Sequence, residues 1–95
     1  MLMGYETYIL DILYMESVKD YLKIYTTGTV ITAKYRISEM ENDIASKGFL
    51  RIHRSYIINL KQITAFTAAE IEIGRVQLPI GESYKAYIDK ALMRK

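Results

Sequence analysis

The sequence predicts a mainly β domain of antiparallel strands, with short helices near residues 38–47 and 83–93. Short runs rich in β-branched and aromatic residues recur along the 95 residues and are separated by turn-forming residues. Two other segments have apolar residues at helical spacing, each beginning close to a serine that can start a helix. The sequence contains no linker, internal repeat or low-complexity run, so we expect a single domain over residues 1–95.

A hairpin is predicted in the first third of the chain. In residues 5–14, polar and apolar side chains first alternate and are then followed by an apolar run. This pattern predicts a strand that precedes the hairpin and ends in a short turn. Residues 21–26 alternate polar and apolar side chains, and residues 30–36 are rich in β-branched residues. We expect these two segments to pair, with Lys34 and Arg36 on one face of the return strand.

A short helix is predicted at residues 38–47. Ser38 and Glu41 have the spacing of a capping box, in which two side chains satisfy the first backbone N–H groups of a helix. Apolar residues then recur at helical spacing, and Gly48 can adopt the conformation that ends a helix. We expect this helix to cover one side of the sheet.

Residues 49–60 have the most informative pattern in the chain. They hold its only histidine, two arginines, a serine, a tyrosine and an asparagine, and no carboxylate occurs between Asp43 and Glu70. Such side chains meet phosphates and bases in nucleic-acid complexes, although a buried strand with solvated edge residues would also fit. A buried amide needs partners, so Asn59 is expected to be structural. We expect these apolar side chains to be buried: Phe49, Ile52, Tyr56, Ile57, Ile58 and Leu60.

A second strand pair is predicted in the last third. A short apolar segment at residues 63–66 precedes an alternating strand at residues 70–73. Residues 74–75, with glycine first, can form a two-residue turn into a return strand at residues 76–80. Pro79 restricts that strand to an edge of the sheet or marks its end.

The terminal helix, residues 83–93, is expected to begin at Ser83 as its cap. Apolar and aromatic side chains at helical spacing should form its buried side. They are Tyr84, Tyr87, Ile88, Ala91 and Leu92.

The composition excludes several classes of protein. The absence of cysteine excludes disulfide scaffolds and thiol catalysis, and a single histidine excludes a His-rich metal site. No apolar run of about 20 residues occurs, so we expect no membrane segment and a soluble cytoplasmic protein. The net charge of +2 does not by itself indicate a polyanion partner. No paired catalytic groups can be identified, and we expect neither an enzyme nor a cofactor.

Four blocks of the sequence together resemble the LytTR DNA-binding domain of bacterial response regulators. They are residues 11–17, 20–24, 49–60 and 78–84, of which the third is the most specific. The resemblance covers about residues 5–92. It implies an elongated, mostly antiparallel fold that binds DNA through loops between strands, and these loops enter neighbouring major grooves.

The resemblance also implies partners. Members of the family usually follow a receiver domain that is phosphorylated on aspartate, and they bind paired promoter repeats. We therefore expect double-stranded DNA as the partner and a homodimer on that DNA. The chain is expected either to be the output domain of a longer protein with an upstream receiver domain or to stand alone. Residues 1–95 contain no receiver domain.

Base-reading side chains of this family come from three loops, which correspond here to residues 18–23, 54–55 and 81–85. Arginine is frequent in the third loop but absent from this one, so Ser83 and Lys85 are expected to contact the DNA backbone. Arg54 is the strongest candidate for reading a base or a narrow minor groove. The expected DNA-binding residues are Lys19, Tyr21, Lys23, Arg51, His53, Arg54, Ser55, Lys61, Ser83 and Lys85.

Alternatives remain for several of these residues and for the function. His53 either contacts phosphate, so that DNA affinity would rise as pH falls, or bonds to a neighbouring backbone group. The four lysines either contact phosphates or are solvated. A protein-interaction module that docks through an exposed β edge or the terminal helix also fits the charge, and RNA binding is a lesser variant. Salt dependence separates these functions, because counterion release makes nucleic-acid binding weaken steeply with salt.

Overall fold

The computed structural model describes residues 11–92, which form eight strands, two α-helices and two 3₁₀ turns. The strands are β1 (Ile12–Val18), β2 (Tyr21–Thr26), β3 (Val30–Ala33), β4 (Phe49–His53), β5 (Tyr56–Asn59), β6 (Ala65–Phe66), β7 (Glu70–Ile73) and β8 (Val76–Pro79). The helices are α1 (Ile37–Asp43) and α2 (Lys85–Leu92). This is the predicted mainly β class with two short helices.

The strands form two antiparallel sheets. One has five strands in the order β3-β2-β1-β5-β4, and the other has three in the order β6-β7-β8. The longest principal axis of the molecule measures 33 Å against 24 Å for the other two, so the domain is modestly elongated.

The five-stranded sheet is covered on both faces except at the edge strand β3, whose residues are mostly exposed. Helix α1 covers one face, and the cluster there contains Ile12, Met15, Leu22, Ile24, Ile37, Met40, Ile44, Phe49 and Ile57. The second sheet and α2 cover the other face, where the cluster contains Tyr14, Leu50, Ile52, Ile58, Ile71, Ile73, Leu78, Ile80 and Ile88. A strand covered on both faces is apolar at successive positions, which explains the unbroken apolar run in β5.

Strand β1 runs farther than the sequence predicted. The strand predicted at residues 5–14 begins outside the described residues, and the turn predicted after it does not occur, because β1 continues to Val18. Met15 is fully buried, and Glu16 accepts hydrogen bonds from two other strands. Both residues are therefore held within the sheet.

The hairpin of β2 and β3 is confirmed, with a shorter return strand than predicted. Leu22 pairs opposite Ala33, which is the last residue of β3. Lys34 and Arg36 consequently lie beyond the strand and do not share one of its faces.

Helix α1 is confirmed as the cover of one sheet face, but its predicted capping box is wrong. Arg36 is the N-cap residue, no side chain caps the helix, and Ser38 lies inside it. The helix ends at Asp43, and the chain makes further turns up to Gly48, whose φ of 87° is the left-handed conformation expected of a terminating glycine.

Helix α2 follows a 3₁₀ turn at Glu82–Tyr84, so Ser83 lies in that turn and does not cap the helix. Its buried side contains Ile88 and Leu92, and Tyr84 of the preceding turn packs on the same cluster. Tyr87 is 54 % exposed, and Ala91 and Leu60 are also exposed, contrary to prediction. Within residues 11–92, no helix has the length and apolar character needed to cross a membrane.

The hairpin of β7 and β8 is confirmed. Gly74 begins its two-residue turn with a φ of 62°, a conformation that glycine adopts without the steric cost of a side chain. Pro79 is the last residue of β8, which is an edge strand.

Asn59 is structural, as expected. It is 5 % exposed at the end of β5, where its Nδ2 donates to the carbonyl of Ile12 at 2.7 Å. Its Oδ1 accepts from the backbone N–H of Lys61 at 3.0 Å. The side chain therefore ties the start of β1 to the chain that leaves β5.

We predict that Asn59→Asp lowers the free energy of unfolding by about 1–3 kcal/mol at neutral pH, because the carboxylate cannot donate to the Ile12 carbonyl. The loss should shrink on acidification, since a protonated carboxyl can donate again. Denaturant unfolding at several pH values measures it, with the exposed Asn42→Asp as the matched control. Equal stability of the two variants would contradict the role assigned to Asn59.

Candidate nucleic-acid interface

Two hairpin turns lie side by side at one end of the five-stranded sheet. Lys19 and Asp20 connect β1 to β2, and Arg54 and Ser55 connect β4 to β5. Because β1 and β5 are antiparallel neighbours, the backbone N–H of Ser17 donates to the carbonyl of Ser55 at 2.8 Å. The centres of the two turns are two strand spacings apart in the sheet order, which is about 10 Å.

A third segment, residues 81–85, lies against the end of β4. The backbone N–H of Gly81 donates to the carbonyl of Ile52 at 2.8 Å. A Cβ atom on Gly81 would lie 3.4 Å from the Cα of His53 and 3.0 Å from Cδ2 of Tyr84, so the approach is close enough to favour glycine. We call residues 19–21, 54–55 and 81–85 together the three-turn surface.

Several side chains on the three-turn surface are presented to solvent, whereas Tyr84 packs against the core. Tyr21 is 48 % exposed, and Lys19, Arg54 and Ser83 are exposed as well. The guanidinium of Arg54 forms no hydrogen bond or ion pair with any residue between 11 and 92. It is therefore available to bind a partner.

Lys19 has an unusual backbone conformation. Its φ of 56° is the only positive value for a non-glycine residue within 11–92. This left-handed conformation costs an L-residue roughly 1–2 kcal/mol. It is held in place by the pairing of Val18 with Tyr21 on either side of the turn.

Arg51 is bound within the protein. Its side chain is 10 % exposed, with Nη1 donating to Glu41 of α1 at 2.6 Å. Nε donates to the carbonyl of His53 at 2.8 Å, and Nη2 donates to the carbonyl of Arg54 at 2.7 Å. Arg51 therefore fastens the β4–β5 turn to α1.

His53 also stabilises the β4–β5 turn. Its Nδ1 accepts a hydrogen bond from the backbone N–H of Ser55 at 3.0 Å. A protonated imidazole has no acceptor nitrogen, so this bond requires His53 to be neutral. The structure thus shows the backbone-bonded alternative for His53.

The lysines expected to contact DNA occupy different places. Lys61 follows β5 at the end of the sheet opposite to the β4–β5 turn, so it does not join the three-turn surface. Lys23 is half-buried within β2, opposite Glu16. Lys85 pairs with Glu82 at 3.3 Å, an exposed ion pair of small energy. The structure therefore places Lys19 and Lys85 on the surface itself.

A cluster of tyrosines behind the surface was not foreseen from the sequence. Glu16 accepts from the hydroxyl of Tyr25 at 3.1 Å and from that of Tyr56 at 3.4 Å. The rings of Tyr14 and Tyr25 stack with their centroids 4.4 Å apart. These contacts fasten β2 and β5 to β1. A glutamate between tyrosine-rich strands was the only sequence signal.

Burial, followed by the hydrogen bond to Glu16, raises the pKa of Tyr25 to about 12. Burial also raises the pKa of Tyr14 and Tyr56, with the charge of Glu16 as the second cause. The cluster is therefore neutral tyrosine around one carboxylate. Within residues 11–92, no group of three or more histidine, aspartate and glutamate side chains is placed to hold a metal ion.

Comparisons with known proteins point to one family. Residues 5–93 match the family model described as the LytTr DNA-binding domain. The chain is 34 % identical over 80 residues to the transcriptional regulatory protein NatR of Bacillus subtilis (strain 168), covering 84 % of this chain and 34 % of NatR. It thus spans about a third of that relative's length.

The fold is similar to a solved LytTr DNA-binding domain from Bacillus cereus. The TM-score is 0.78 at 26 % sequence identity, and the match covers 87 % of this chain and 82 % of that chain.

We predict that the chain loses stability as pH rises from about 10 to 12. The raised pKa of Tyr25 means that the folded state holds this proton more tightly than the unfolded state, whose tyrosines titrate near 10. The resulting stability is present below about pH 10 and is lost as pH approaches 12. Denaturant unfolding across this range should show a smaller alkaline loss for Tyr25→Phe than for the exposed control Tyr21→Phe. Identical pH profiles would contradict the prediction.

Proposed function

Because the chain belongs to the LytTr DNA-binding domain family, we propose that it binds double-stranded DNA sequence-specifically as the output domain of a transcriptional regulator, through the three-turn surface. The observation that carries this assignment is the exposed Arg54 in the middle of that surface. The β1–β2 turn lies on one side of it and residues 81–85 lie on the other.

The spacing of the turns suits a duplex. The minor groove of B-DNA is about 6 Å wide and the major groove about 12 Å. The β1–β2 and β4–β5 turns are about 10 Å apart, so Arg54 can lie in a minor groove while the β1–β2 turn reaches the adjoining major groove. Arginine is favoured there because a narrow minor groove has an enhanced negative potential. Residues 81–85 are proposed to reach the major groove on the other side of Arg54.

Of the other candidate residues, some are proposed to contact the DNA and others to hold the β4–β5 turn in position. Lys19, Tyr21, Ser55, Ser83 and Lys85 are proposed to contact phosphates or groove edges, since they lie on or beside the exposed surface. Lys23 is proposed as a more distant phosphate contact.

Arg51 and His53 are proposed as positioning residues, because their polar atoms hold the β4–β5 turn from behind. Lys61 lies at the far end of the sheet and is left out of the proposed contact.

We further propose that residues 1–95 act as one non-catalytic domain and that two copies bind paired promoter repeats, since one surface of this size covers few base pairs. NatR is about three times as long as the matched part, which fits a longer protein. An upstream receiver domain is proposed on the family resemblance alone. A regulator of bacterial promoters works in the cytoplasm.

We predict that Arg54→Ala weakens binding to a cognate duplex by roughly 1–3 kcal/mol and weakens binding to unrelated duplexes much less. Arg54→Lys should recover only part of the loss, because lysine is a point charge without a planar donor group. Fluorescence anisotropy measures both effects. Arg75→Ala, an exposed arginine in the β7–β8 turn, is the matched control.

Equal loss from Arg54→Ala and Arg75→Ala would contradict the central role of Arg54. An affinity that hardly changes with salt would favour the protein-interaction alternative over DNA binding.

We predict that His53→Ala weakens DNA binding, because it removes the acceptor for the Ser55 N–H and so loosens the β4–β5 turn that carries Arg54. His53→Asn keeps an acceptor that can bond two residues ahead, so it should retain more of the affinity than His53→Ala. Fluorescence anisotropy on the cognate duplex measures both variants. Equal losses from His53→Ala and His53→Asn would instead indicate direct contact between the imidazole and the DNA.

A further inference from the structure

A polar cleft lies beside the β1–β2 turn and extends the three-turn surface. It has a volume of about 610 Å³ and is lined by Lys19, Asp20, Lys34, Tyr35, Arg36 and Glu39. Of these six residues only Lys19 was expected from the sequence to contact DNA. The other two cations come from the segment between β3 and α1.

The strand register places this cleft at the same end of the sheet as the three turns. Leu22 pairs opposite Ala33, so β3 runs back toward the β1–β2 turn and releases residues 34–36 there. In the sheet order, β3 lies on the side of this turn that faces away from Arg54. Its end is one and a half strand spacings, or about 7 Å, from the centre of the turn.

The three cations of the cleft are exposed and unpaired. Within residues 11–92, none of Lys19, Lys34 and Arg36 forms a salt bridge, even though Asp20 and Glu39 line the same cleft. The cleft therefore carries one more positive than negative charge, and a single phosphate would neutralise it.

The segment that carries two of these cations is held in place. Tyr35 is half-buried against the core cluster under α1, and its hydroxyl donates to Asp43 of that helix. Lys34 and Arg36 flank this anchored tyrosine. A backbone held in this way loses less conformational entropy when its cations bind a ligand than the backbone of a mobile loop would.

We propose that Lys19, Lys34 and Arg36 hold one phosphate of the DNA backbone, at the wall of the groove that receives the β1–β2 turn. This inference depends on the proposed function. Half the width of a major groove is about 6 Å, so side chains about 7 Å from the centre of the inserted turn meet the bordering phosphates. Arg36 supplies paired donors for phosphate oxygens, and the lysines add charge.

The three-turn surface has an excess of only one positive charge, so an additional phosphate contact would strengthen DNA binding. That surface has three cations, Lys19, Arg54 and Lys85, against two carboxylates, Asp20 and Glu82. Phosphate contacts supply much of the affinity of DNA-binding domains. Lys34 and Arg36 add cations on the side of the β1–β2 turn remote from Arg54.

The test compares Lys34→Gln/Arg36→Gln with the wild-type chain on a cognate and an unrelated duplex, over a series of salt concentrations. We expect the double variant to bind both duplexes roughly tenfold more weakly near 0.1 M salt, and the slope of log K against log salt to decrease by about 1. Arg75→Gln, which removes an exposed cation from the β7–β8 turn, should change neither quantity. Asp20→Asn should strengthen binding to both duplexes.

If the wild-type chain binds the duplexes and the double variant has the same salt slope as the wild-type chain, the phosphate site is overturned and the proposed function stands. A loss confined to the cognate duplex would also overturn it, because a phosphate contact carries no sequence information. If inorganic phosphate shifts the NMR signals of Tyr35 while the duplex slope stays unchanged in the double variant, the site binds a free anion and the assignment to DNA fails. Failure of the wild-type chain to bind any duplex would overturn the proposed function and this inference together.

Discussion

Burial of the five-stranded sheet on both faces is the constraint on which the rest of the structure depends. Helix α1 packs on one face, and the second sheet with α2 packs on the other. A one-residue slip of β1, β4 or β5 would exchange its two sets of side chains between two differently shaped clusters, so the register is strongly specified. Because the register is fixed, the ends of neighbouring strands coincide, and the turns that join them lie side by side. The position of each turn tip is therefore set by the core.

Much of the fold could be predicted from local patterns. The hairpin turn at Gly74 needs a residue tolerant of positive φ, and the sequence supplies glycine there. The errors occur where packing overrides local preference. The first strand was expected to end in a turn after residue 14, but hydrogen bonds from Tyr25 and Tyr56 hold Glu16 inside β1. Ser38 and Ser83 have the residue type of helix caps, yet the helices begin elsewhere. Hydrogen bonds and packing between residues far apart in the chain cannot be predicted from the spacing of residues along the sequence.

The candidate site was only partly predictable. The resemblance located the turn at Arg54, and the structure shows that side chain exposed and without a partner in residues 11–92. Residue type could not show that Arg51, three positions earlier, has all its donor nitrogens bound within the protein. Lys61 is close to Arg54 in sequence but is separated from it by the length of β5. The sequence pattern assigned Lys34 and Arg36 to a strand and could not predict their position beside Lys19, because that position depends on the pairing of β2 with β3.

The backbone of Lys19 has a consequence for engineering this domain. A campaign guided by melting temperature would favour glycine at position 19, since glycine accepts the left-handed conformation without steric cost. The improved thermostability would be accompanied by loss of an ammonium group from the proposed contact region. Ranking variants by heat resistance alone would thus discard the lysine that the proposed recognition of DNA requires. Selection schemes for this domain should therefore measure DNA binding as well as thermostability.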